Sequence, residues 1–141
     1  MDDFKTTFVV KKIVFVNKVK EGNFVLAPEL GAAFNKLGDN KWETLINFRV
    51  LDKEEQPFPF DLDIVVSLIT EFPKKMPNDF DLKTYLKIDS IKVLFPYVRS
   101  IVTNITSSAL VTPIFIPLVD VSHFAENVKI PELENNFLPQ K

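Results

Sequence analysis

The chain has 141 residues, 46% of them hydrophobic and 26% charged, with a formal net charge of −2 and no cysteine. That is enough for one domain with a real core, and the near-balanced charge draws it neither to nucleic acid nor to anionic lipid. The missing cysteines exclude disulfides and thiolate metal sites, and from the acidic opening Met1-Asp2-Asp3-Phe4, without a basic and then apolar region, no signal peptide is expected. No apolar run reaches the ~20 residues that span a bilayer, so a cytoplasmic protein without membrane insertion is expected.

The first half alternates with period two. From Phe4 to Val16 the even positions are mostly apolar (Phe4, Phe8, Val10, Val14, Val16), interrupted by Thr6 and Lys12, and the odd positions add Val9, Ile13 and Phe15. Phe24 to Phe34 repeats the pattern around Pro28, which lacks a donor for a strand ladder and implies an edge or a bulge. Trp42 to Leu51 alternates cleanly. After the polar run Asp52 to Gln56, the residues Phe58, Phe60, Leu62, Ile64, Val66, Leu68 and Phe72 share a face. Four strands with short connections predict an antiparallel meander.

The period then changes. Phe72 to Asn78 holds two prolines and reads as a loop. Ile91, Leu94, Phe95, Val98, Ile101, Val102 and Ile105 recur at three and four residues, which is one face of a helix capped by Asp89 or Ser90. An apolar connector, residues 110–118, follows with Pro113 and Pro117. A short second helix is expected over 122–128, and 129–141 reads as a tail of the single domain 1–141. The predicted class is α+β: a four-stranded antiparallel sheet, a long helix and a short second helix. Ile13, Phe15, Leu45, Val65 and Ile69 make the second sheet face partly apolar, beyond what one helix covers, so a homo-oligomer is expected.

Catalytic chemistry finds little support. Asp61 and Asp63 share a strand face, but cross-strand pairing with Arg49, placed opposite Asp61, explains them more simply than acid–base work does. His123 is the one histidine, within reach of Asp120 or Glu126, and reads as a helix-start or surface residue. The cluster Thr103, Thr106, Ser107, Ser108 lacks a nucleophile elbow, and Gly22, Gly31 and Gly38 are too scattered for a phosphate loop. No enzyme, cofactor or metal site is expected.

Leu94-Phe95-Pro96-Tyr97-Val98-Arg99 is similar to the I-L-F-P-Y-A-R stretch of SecB, the bacterial protein-export chaperone, and Phe115-Ile116-Pro117-Leu118-Val119 resembles its L-A-P-V-N segment. His123-Phe124 falls where SecB starts its last helix. The resemblance implies a tetramer that holds unfolded polypeptide in apolar grooves between sheet and helix. Here such grooves would draw on Trp42, Phe95, Tyr97, Ile114, Phe115 and Ile116. Apolar surface of that kind marks an interaction site. The stretch Ala27 to Ala33 carries a single carboxylate where SecB is acidic and docks SecA, which argues against a SecA partner. SecB-fold relatives without an export role serve one antitoxin, or form an uncharacterised family in Gram-positive bacteria. The alternative to a general chaperone is therefore an adaptor with one dedicated protein client.

Overall fold

The computed structural model describes residues 4–109, 111, 114, 116, 120–131 and 133. Strands β1 (Lys5–Asn17), β2 (Glu29–Gly38), β3 (Lys41–Val50) and β4 (Phe60–Glu71) form one antiparallel sheet. β2, β3 and β4 make the expected meander. β1 does not: the order is β1-β4-β3-β2, so residues 18–28 carry the chain from one edge of the sheet to the other. Pro28 immediately precedes β2, on the open edge of the sheet, where a residue without an N–H costs no ladder bond.

The two-sided apolarity of β1 has a local cause. Val10 stands opposite Val66 and Lys12 opposite Val65, so Lys11 is an extra, bulged residue. A one-residue insertion reverses which face each later side chain takes. Phe8 and Val10 before the bulge therefore lie on the same face as Ile13 and Phe15 after it, opposite the core residues Leu68, Val66, Ile64 and Leu62. The even-position face inferred from alternation thus ends at Val10, and Val14 and Val16 lie on the outer face with Val9.

A continuous helical segment covers the inner face: α1 (Leu82–Thr84), a π-helical turn (Tyr85–Asp89) and α2 (Ser90–Ser108). It starts earlier than the apolar stripe indicates. Asp81 caps it, accepting from the Thr84 amide at 3.3 Å and the Thr84 hydroxyl at 2.7 Å. Asp89 makes no cap bond because its backbone is already helical. α2 lies chiefly over β3 and β4, burying Ile91, Leu94, Phe95, Val98 and Val102 against Ile46, Phe48, Leu62, Ile64 and Val66. Each fully buried aliphatic contributes about 1.5–3 kcal/mol relative to exposure.

Buried hydroxyls set the helix register. Ser90 donates to the Leu86 carbonyl at 2.6 Å, which leaves its oxygen to accept from Thr44 of β3 at 2.8 Å. Tyr85 shares a 3.0 Å hydrogen bond with Thr70 of β4. Beyond α2, residues 122–127 make successive turns, with i→i+3 bonds such as Phe124 N to Val121 O and Glu126 N to His123 O, where a short helix is expected. Val121, Ala125 and Ile130 enter the core from this segment.

Candidate functional site

The six residues expected to line a binding groove separate on folding. Trp42, at 2% exposure, and Phe95 and Ile114 are core residues, because the inner face of β3 and the central stripe of α2 point at each other. Ile116 is half-buried, beside Pro96, Arg99, Thr103 and Asn104 of α2. Tyr97 stays 48% exposed. Phe115 lies outside the described residues, as do most of the connector and the tail.

The connector is anchored by the cluster considered for nucleophilic chemistry. Thr106, fully buried, accepts from the Ile114 amide at 3.0 Å and donates to the Val102 carbonyl at 2.9 Å. Thr103 donates to the Ile114 carbonyl at 2.8 Å. Both hydroxyls are therefore engaged with backbone, and their role is to fix Ile114 against α2.

The carboxylates are ion-paired by lysines of β1 and the segment after it. Lys11 donates to Glu43 at 2.9 Å and Lys12 to Asp63 at 2.8 Å. Lys18 stands 3.5 Å from Asp61, and Lys20 is 2.6 Å from Asp52. Arg49 is opposite Asp63, not Asp61, with its Nε 3.6 Å away. Glu43 is 4% exposed although it points outward. Burial pushes its carboxyl up, and hydrogen bonds from Lys11, Ser67 and Asn35 outweigh that, so its pKa is lowered. In Asp63, too, burial raises the pKa, and the bonds from Lys12 and Asn47 prevail and lower it. His123 meets Glu126 at 2.7 Å, well exposed and apart from this network. Among the described residues no group of three His, Cys, Asp or Glu side chains is placed to hold a metal ion. Asp61, Asp63 and His123 form no constellation.

Sequence reasoning missed the four lysines, whose signal was the Lys11-Lys12 interruption of an otherwise apolar strand. On β1 and the near flank of α2, Phe8, Val10, Ile13, Val93 and Tyr97 are exposed, with the Phe8 and Tyr97 rings 4.2 Å apart. Phe8 is the one described phenylalanine that is exposed; the others pack inside. A second apolar surface lies on the irregular segment 18–28 and the start of β2, where Val19 is 84% exposed and Val25 70%, joined by Leu26 and Leu30. Val19 has φ +54°, an unfavourable conformation for a β-branched residue, braced by the hydrogen bond its amide donates to Asn17 Oδ1 at 2.8 Å. Among the described residues no helix is long and apolar enough to cross a membrane.

Comparison with known proteins adds three findings. The family model "Preprotein translocase subunit SecB" matches residues 14–129. An uncharacterized protein of Methanocaldococcus jannaschii is 26% identical over 136 residues, covering 92% of this chain and 86% of the relative. The solved structure of a Mycobacterium tuberculosis SecB-like chaperone, in complex with a ChAD peptide from the HigA1 antitoxin, superposes with a TM-score of 0.67 at 11% identity. That match covers 84% of this chain and 91% of the other.

Proposed function

The chain belongs to the SecB family, and from that premise we propose that it is a holding chaperone whose assembled copies keep unfolded polypeptide extended on apolar surface. The carrying observation is the uncovered apolar side chain at Val19, Val25 and Leu26, on a segment with no regular structure, and at Leu30 where the edge strand β2 begins. Contiguous apolar exposure marks an interaction surface, and irregular backbone can adapt to side chains of many shapes.

The two apolar surfaces divide the work. β1 is held rigidly by its ladder to β4 and by Lys11 and Lys12. A rigid surface, apolar on both faces, suits a fixed partner, and a second copy of the chain is the partner we assign to Phe8, Val10, Ile13 and Tyr97. The segment 18–28 and the connector, with Ile116 and Phe115, are assigned to the client. Trp42, Phe95 and Ile114, buried in the core, are assigned to neither surface.

The proposal includes no delivery to SecA. Glu43, Asp61 and Asp63 are each matched by a cation, so the outer sheet face presents little negative field to a basic partner. The M. tuberculosis relative, solved with a peptide of one antitoxin, favours a second reading in which this chain serves a single dedicated client.

One assay separates the readings. A chemically unfolded protein is diluted into increasing amounts of the chaperone, and its aggregation is followed by light scattering. The proposal expects suppression near stoichiometric ratios without nucleotide, weakened in a Val25→Asp, Leu26→Asp variant that folds normally. Absence of suppression at large excess would rule out the general chaperone and leave the dedicated one.

A further inference from the structure

Two hydrogen bonds at the ends of the strands fix the direction of every main-chain group in the sheet. The Phe72 amide donates to the Asn40 carbonyl at 2.7 Å, and the Lys18 amide to the Pro59 carbonyl at 2.9 Å. Successive residues of a strand point their N–H and C=O to alternate edges. Asn40 therefore directs its carbonyl at β4, and by alternation Glu43, Leu45, Asn47 and Arg49 direct theirs at β2. Their partners Asn35, Ala33, Gly31 and Glu29 bond inward. Leu30, Ala32 and Phe34 then turn their N–H and C=O groups away from the sheet, on an edge that pairs with no described strand.

The two edges are not equivalent. β1 is interrupted by its bulge at Lys11 and carries Lys5, Lys11 and Lys12, devices that discourage strand addition. β2 has none of these between Leu30 and Asn35. Its centre is Gly31, Ala32 and Ala33, small residues over which a neighbouring strand's larger side chains fit, and a Cβ built on Gly31 meets nothing within 4 Å. The exposed Val25, Leu26 and Leu30 lie at the end where this edge begins.

We infer that an extended segment of an unfolded polypeptide docks as a fifth strand on the open edge of β2, joined by main-chain hydrogen bonds to Leu30, Ala32 and Phe34. This rests on the chaperone reading and deepens it. Backbone pairing supplies affinity that is blind to sequence, while Leu30 and the segment before it select apolar side chains at alternate positions. Such an edge suits a client defined by being unfolded.

The test uses the full chain and a peptide alternating threonine and valine between terminal lysines, with amide exchange read by NMR. On binding, the Leu30, Ala32 and Phe34 amides are expected to slow, while Gly31, Ala33 and Asn35, already bonded to β3, change little. The same peptide N-methylated at its central residues keeps its side chains but loses its donors. Loss of several hydrogen bonds of ordinary net strength predicts weakening of about tenfold or more. Ala32→Pro, which removes an outward N–H and no ladder bond, is expected to do the same; should it misfold, the N-methylated peptide still decides. Equal binding of both peptides would overturn the inference. So would slowing of the three amides with protein concentration alone, which would assign the edge to a second copy. If unfolded proteins are held but these amides do not respond, only the edge pairing fails; if neither the peptide nor any unfolded protein binds, the chaperone reading fails with it.

Discussion

Glu43 shows how a charged residue is tolerated on an apolar strand. Its carboxylate is nearly sealed from water, and Lys11, Ser67 and Asn35 replace the lost hydration with three directed donors. An acidic group whose pKa is lowered in the folded protein stabilises the fold above its unfolded pKa, and that contribution fades as pH falls through the folded value. The ordinary values are 4.5 for Glu43 and 3.8 for Asp63, and both groups are lowered. Stability to urea is therefore expected to be level between about pH 7 and 5 and to decline below about pH 4. A Glu43→Gln, Asp63→Asn variant should be less stable at neutral pH and flatter in acid. An acid slope identical to the parent's would show that these two carboxylates do not contribute to it.

At the scale of elements, the polar residues of α2 connect parts that alternation and helical periodicity treat separately. Thr106 belongs to no catalytic cluster; its hydroxyl ties the connector to the last turns of the helix. Thr106→Val is nearly isosteric and leaves the buried Ile114 amide without its acceptor, a cost of about 1–3 kcal/mol. The expected result is reduced stability to denaturant and faster exchange at Ile114, with the far-UV circular dichroism unchanged. A change within the error of the parent would mean that water or another acceptor replaces the hydroxyl. Pro96 sits inside α2 and the helix runs through it, although proline removes the bond to the carbonyl four residues earlier. Tertiary burial of Leu94, Phe95 and Val98 holds that turn in place.

For the whole molecule, the decisive feature is that β1 crosses to the far edge of the sheet and leaves apolar residues uncovered on both faces. With a second copy assigned to that surface, light scattering should report at least two chains per particle. Val10→Lys with Ile13→Lys should lower the mass without unfolding the chain, since both residues are already more than two-fifths exposed. A monomeric parent would remove the assembly reading. Much of the architecture was legible beforehand: four strands, one long helix and the Leu94 to Arg99 motif are local patterns, and local patterns are what backbone periodicity encodes. Strand order was not, because residues 18–28 carry no mark of which edge they reach, and pairing β1 with β4 is a contest between surfaces distant in the chain. The site was legible only in part for the same reason. Composition and alternation determine that this protein has more apolar surface than one helix can cover. Which side chains remain uncovered is decided by a single bulged residue at Lys11, which turns Ile13 and Phe15 inward with Phe8, and by a helix too narrow to reach both edges of the sheet.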